Sequence, residues 1–140
     1  MRSKIIVMLG VLFLAATTIA RADTPNNDPI GAAMIPPEIV MGHQQELGLT
    51  DAQKTAIQGD VQQAQSRFTG LQWQLSAAVE RLATILKQPH VNENDALAQL
   101  DREQSLERDI KRTQIQLMIR IKNELTPDQQ TKAFALKHGG

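Results

Sequence analysis

The 140-residue sequence has no cysteine and no tyrosine, and its aromatic residues amount to three Phe and one Trp. Without cysteine there is no disulfide framework, no thiolate metal site and no cysteine nucleophile. So few aromatics argue against a sheet-rich fold and against platforms for stacking nucleic-acid bases. An excess of one charge is also missing. Fifteen Lys+Arg face fifteen Asp+Glu, so no electrostatic argument points to nucleic acid as a partner. The chain has no nucleophile motif, glycine-rich phosphate loop or H-E-x-x-H pair, so it reads as a non-enzyme without a cofactor. The length fits one domain.

What is present begins with one apolar run. Arg2, Ser3 and Lys4 precede Ile5 to Ala16, and Ala20, Arg21 and Ala22 form an A-x-A pattern before Asp23. This is the layout of a secretory signal peptide over residues 1–22, cleaved after Ala22. The run is too short for a membrane anchor, which needs ~20 apolar residues. Cleavage removes Arg2, Lys4 and Arg21 but no acid, leaving 118 residues at a formal charge of −3. Residues 23–36 hold three prolines, two adjacent asparagines and a glycine, and read as a flexible leader.

The remainder, 37–138, reads as a single all-α domain. Pro37 suits a helix start, and a short helix to Leu47 places Val40, His43, Gln44 and Leu47 on one side before Gly48 ends it. Thr50 to Gln53 form a capping box, and the helix behind it is predicted to run from Asp51 to Gln88, where Pro89 stops it. Its apolar stripe is Ile57, Val61, Ala64, Phe68, Leu71, Leu75, Val79, Leu82 and Leu86. Gly59 and Gly70 interrupt it, each costing ~1 kcal/mol against alanine. Asn92 caps a second long helix to Glu124, with the stripe Leu97, Leu100, Glu103, Leu106, Ile110, Thr113, Leu117 and Ile121. Thr126 to Gln129 repeat the capping box with Pro127 at the first helical position, and a short last helix ends before Gly139.

A helix over 51–88 is ~57 Å long at ~1.5 Å per residue, too long for the interior of a globule of this size. The short connection at Pro89–Val91 therefore predicts an elongated antiparallel hairpin flanked by two short helices. Turning at His90 pairs Leu75 with Leu106, Leu71 with Ile110 and Ala64 with Leu117. It also brings Thr50 and Thr126 to one end.

The segments Leu49-Thr50-Asp51-Ala52-Gln53 and Leu125-Thr126-Pro127-Asp128-Gln129 are two copies of L-T-x-x-Q. Two copies bracketing a helical hairpin, behind an export signal, resemble the Spy/CpxP family of periplasmic stress proteins. The similarity covers roughly 43–136 and is strongest in LGLTDAQK and ELTPDQQ. The resemblance implies a periplasmic protein whose two protomers pair as a thin, curved cradle. It further implies ATP-independent chaperone activity on partly unfolded envelope proteins, or an adaptor role toward a membrane sensor of envelope stress. A sister group with the same motifs comprises periplasmic heavy-metal sensors. The motif residues Leu49, Thr50, Gln53, Leu125, Thr126 and Gln129 themselves read as structural, capping helices and closing one end.

Candidate surfaces follow from what a two-helix hairpin cannot bury. Trp73 points away from the core stripe, and Ile115, Met118 and Ile119 lie off the stripe of their helix. Such groups meet a second protomer, a client or water. Arg108, Lys111 and Arg112 offer a charged contact mode. Asp101, Glu103, Glu107 and Asp109 are interleaved with them, which reads instead as a solvated, salt-bridged helix face. The mature charge departs from a strongly basic cradle. A metal site requires converging donors; His43 and Glu46 are the weak candidates. No His falls between Val91 and Lys137, and His90 sits at the far tip.

Overall fold

The computed structural model describes residues 28–139. The proposed signal peptide, its cleavage after Ala22 and the first part of the leader lie outside them. The fold is all-α: helices α1 (Pro29–Ala33), α2 (Pro37–Gly42), α3 (Asp51–Leu86), α4 (Glu93–Glu124) and α5 (Pro127–His138), with no strand among the described residues. Helices α3 and α4 pack against each other as an antiparallel hairpin, and α2 packs on α5.

Local chemistry sets each boundary. The Thr50 Oγ1 accepts from the Gln53 N–H at 3.2 Å, and the Asn92 side chain accepts from the Asp95 N–H at 3.2 Å. These caps satisfy N–H groups that helix starts otherwise leave unpaired. Helix α3 ends two residues earlier than predicted. Lys87 and Gln88 close its last turn onto the Ala83 and Ile85 carbonyls, because Pro89 disfavours helical geometry at the residue before it. Helix α2 ends at Gly42 rather than Leu47. The chain then turns through residues 43–48, and Gly48, at φ +65°, takes the left-handed conformation that glycine tolerates best. Its N–H donates to the Gln45 carbonyl.

The leader reading does not hold for residues 29–36. Asp28 caps α1 by accepting from the Ile30 N–H, and Ile35 is fully buried. The Lys137 ammonium donates to the carbonyls of Gly31, Ala32 and Met34 at 2.6, 3.4 and 2.9 Å, and Lys122 donates to that of Ala33 at 3.3 Å. Two cations thus bond the carbonyls at the end of α1, where the helix dipole also favours positive charge; of these carbonyls, that of Gly31 also accepts from the Met34 N–H. Both ammoniums also lie within 6 Å of the Phe134 ring centroid, a cation–π arrangement.

Two apolar clusters hold the fold. The larger gathers Ile35, Val40, Leu47, Leu49, Ile57, Ile121 and Leu125 with neighbours from α3, α4 and α5 at the base of the hairpin. Fully burying a side chain of this size stabilises by about 1.5–3 kcal/mol. The smaller cluster, Leu71, Ala78 and Leu106 with Leu75 and Ile110, lies farther along the hairpin. Cross-helix bonds fix the register: Arg120 reaches Asp60 and Gln63, Arg102 reaches Gln74, and Gln99 donates to the Ala78 carbonyl. Paired numbers sum to about 180, close to the predicted pairing of an antiparallel hairpin.

Toward the tip the buried stripe departs from the predicted one. Ile57, Ala64, Leu71 and Ala78 are buried at steps of seven, while Val79, Leu86 and Leu97, all expected in the core, are 45%, 56% and 49% exposed. Ala78 and Ala96 are buried in their place. A strict seven-residue repeat keeps one seam facing the partner helix in a left-handed pair. The predicted stripe takes two successive steps of four from Leu71 to Val79, which rotates it one residue off that seam.

Candidate functional site

The two L-T-x-x-Q segments meet at the base of the hairpin. In each, threonine and glutamine complete a capping box: the Gln53 Oε1 accepts from the Thr50 N–H at 3.0 Å, and the Gln129 Oε1 accepts from the Thr126 N–H at 2.9 Å. The Thr126 Oγ1 accepts from the Gln129 N–H at 3.3 Å. The two glutamine amides then bond each other. Gln53 Nε2 donates to Gln129 Oε1 at 2.8 Å, and Gln129 Nε2 donates to Gln53 Oε1 at 3.1 Å.

The second donor of each amide crosses to the other motif. Gln53 donates to the Glu124 carbonyl at 2.7 Å and Gln129 to the Gly48 carbonyl at 3.3 Å. Each of these carbonyls stands two residues before the threonine of its own motif, so the node has a local two-fold pattern. Both amides have used two donors and two acceptor positions, the full capacity of the group. Leu49 and Leu125, beside the threonines, are buried. Gln130 adds bonds to the Lys122 and Leu125 carbonyls, covering the end of α4. Every group here is a neutral amide, hydroxyl or backbone unit. The node can lock two helix starts and one helix end together.

The proposed client or dimer residues fall in two places. Trp73 stands on α3, 75% exposed. Arg108, Lys111, Arg112, Ile115, Gln116 and Ile119 line one open depression on α4. Ile119 is 43% exposed, whereas Ile115 and Met118 are half-buried. Trp73 and Met118 do not line that depression. The ion pairs within 4.0 Å among the described residues are His43–Glu46, Lys54–Asp51 and Arg120–Asp60. The acids interleaved along α4 therefore leave Arg108, Lys111 and Arg112 unpaired at that distance.

His43 and Glu46 come together, with Nδ1 and Oε2 2.9 Å apart, in the turn after α2. No group of three or more His, Asp or Glu that would hold a metal occurs among the described residues. A two-donor set falls short of a closed four-ligand site.

Sequence reasoning missed the α1 anchorage and the exposed trio Val79, Leu86 and Leu97. The first had a signal: Asp28-Pro29 is the same cap-then-proline start that marks Thr126-Pro127. The second had none in the pattern alone, because Ala78–Val79 and Ala96–Leu97 are apolar pairs and either member continues a stripe. Among the described residues no helix is long and apolar enough to cross a membrane. No protein-family profile, curated protein or solved structure matches the chain.

Proposed function

We propose that the protein is a periplasmic, ATP-independent chaperone of the Spy/CpxP type, acting as a homodimer on partly unfolded envelope proteins. The observation that carries this reading is the exposure of large apolar side chains on a hairpin whose base is fully packed. Trp73, Val79, Leu86, Leu97 and Ile119 are each more than two-fifths exposed. Large exposed apolar groups mark interaction sites. Of these, Ile119 shares the α4 depression with Arg108, Lys111 and Arg112, which form no ion pair within 4.0 Å among the described residues. A body two helices thick has no third layer to cover these groups. They suit a surface that grips unfolded chain by mixed apolar and cationic contact, without nucleotide-driven motion. The neutral base node supports the same reading, since it serves rigidity and not chemistry.

The test is light scattering from a chemically unfolded protein diluted into buffer containing the purified chain and no nucleotide. Suppression of aggregation is expected, and Trp73→Ala raises the amount needed for half-suppression about threefold, as loss of an exposed aromatic anchor does. Failure of the unmodified protein to suppress aggregation at large molar excess sinks the proposal. Calorimetric titration with nickel, copper or zinc that finds sub-micromolar binding lost in His43→Ala would favour metal sensing instead.

A further inference from the structure

Partway along the hairpin the seam between α3 and α4 opens into a notch. Its floor is Ala64, Thr113 and Leu117, all buried. Ala64 and Thr113 are small and stand on opposite helices, so the seam is shallow there. The Thr113 hydroxyl donates to the Asp109 carbonyl of its own helix at 2.8 Å, which leaves the floor with no polar hydrogen to offer.

The walls are polar: Asp60, Gln63 and Arg67 from α3, Gln116 and Arg120 from α4. Arg120 Nη1 holds Asp60 Oδ1 and Gln63 Oε1, both at 2.9 Å. That fork neutralises the one acid in the lining and fixes the guanidinium across the seam. Arg67 is exposed and forms no ion pair within 4.0 Å among the described residues.

Gln116 borders both this notch and the α4 depression that holds Ile115 and Ile119. The two depressions therefore adjoin at Gln116. Their linings together carry five cations (Arg67, Arg108, Lys111, Arg112 and Arg120) against the single acid Asp60. This is the opposite sign to the −3 of the chain from residue 23 onward. A local cationic lining with an apolar floor is complementary to a carboxylate on a short aliphatic stem.

We infer that the notch is a carboxylate-binding site for a Glu or Asp side chain of a bound polypeptide segment. The carboxylate enters between Arg67 and Gln116, its methylenes lie on Ala64 and Leu117, and a neighbouring apolar side chain of the segment rests on Ile115 and Ile119. The inference rests on the proposed binding of unfolded polypeptide and specifies what such a site selects: acidic residues next to apolar ones.

The experiment is a titration of the isotopically labelled protein, followed by backbone amide chemical shifts. The probes are the peptide acetyl-Leu-Ala-Glu-Ala-Leu-amide and its Gln counterpart. The Glu peptide is expected to shift the amides of Gln63, Ala64, Arg67 and Gln116, and the Gln peptide to bind about tenfold more weakly, the loss of one charge-assisted contact. Arg67→Gln, at an exposed position, is expected to abolish that preference while leaving the rest of the spectrum in place. Equal binding of the two peptides, shifts confined to residues outside the notch, or a preference that survives Arg67→Gln overturns the inference. A protein that suppresses aggregation yet shows no notch shifts overturns this inference alone. One that binds the Glu peptide at the notch yet suppresses no aggregation overturns the proposed function alone.

Discussion

Replacing Gln129 by glutamate separates the two duties of that side chain. A capping box accepts Glu and Gln alike at its third position, so Gln129→Glu keeps the acceptor for the Thr126 N–H. What it removes is the amide donor. Two bonds vanish, to Gln53 Oε1 and to the Gly48 carbonyl, and a charge enters a residue that is only 8% exposed. Gln53 Nε2 still donates to the new side chain, which offsets part of the loss. Each lost bond is worth about 0.5–1.5 kcal/mol net, and leaving buried acceptors unpaired adds about 1–3 kcal/mol. The expected destabilisation is therefore about 2–4 kcal/mol, or a fall in Tm of roughly 8–15 °C for a domain of this size. Urea denaturation followed by circular dichroism measures it. The loss should shrink at pH 4. The oxygen that replaces Nε2 faces the Gln53 Oε1 and Gly48 carbonyl acceptors at a buried position, so protonation there is favoured in the folded state and the folded pKa lies above the unfolded value. The variant's relative stability is then present below about pH 4.3 and lost as pH rises. A variant within about 0.5 kcal/mol of the parent at pH 7.5, the size of an ordinary surface change, would refute the reciprocal amide pair as a stabilising unit.

Two further outcomes follow from the packing. Gly59 and Gly70 lie inside α3 with open space where a Cβ would project, so Gly59→Ala and Gly70→Ala should each stabilise by about 1 kcal/mol; a fall in urea midpoint for either would show that the helix needs its glycine. Ile35→Ala removes a fully buried side chain from the base cluster and should cost about 2–4 kcal/mol, whereas a truly flexible leader would lose nothing measurable in the same denaturation.

Much of this architecture was readable locally. Thr50, Asn92 and Thr126 announce helix starts, Pro89 announces a stop, and the apolar period between them is helical over tens of residues. These signals act within a turn or two, so no tertiary knowledge is needed to use them. The reciprocal bonding of Gln53 and Gln129 was legible only in part. Hairpin pairing brings the two motifs together, but the choice of Gln over Glu in both copies becomes meaningful only once each amide is seen to reach across. The seam near the tip was not legible, because side-chain size favoured Val79 and Leu97 while the packing of α3 on α4 buries Ala78 and Ala96. Prolines and asparagines around Ile35 masked an anchor whose partners, Lys137 and Phe134, lie about a hundred positions away. Of the candidate surface, Arg108, Lys111, Arg112, Ile115 and Ile119 line one depression, and Trp73 and Met118 stand apart from it.

The amide pair joins residues 76 positions apart, whereas the bonds nearest the turn, such as Gln99 to Ala78, span 21. Closing a long loop in a disordered chain costs entropy before any contact rewards it. On a route that zippers α3 and α4 from their turn, that loop shortens step by step and the base node completes folding instead of starting it. Contacts formed after the rate-limiting barrier govern how slowly a protein comes apart and leave the speed of assembly nearly untouched. On that route the two glutamines act as a kinetic latch, and the expected outcome is that weakening them quickens unfolding while refolding keeps its pace.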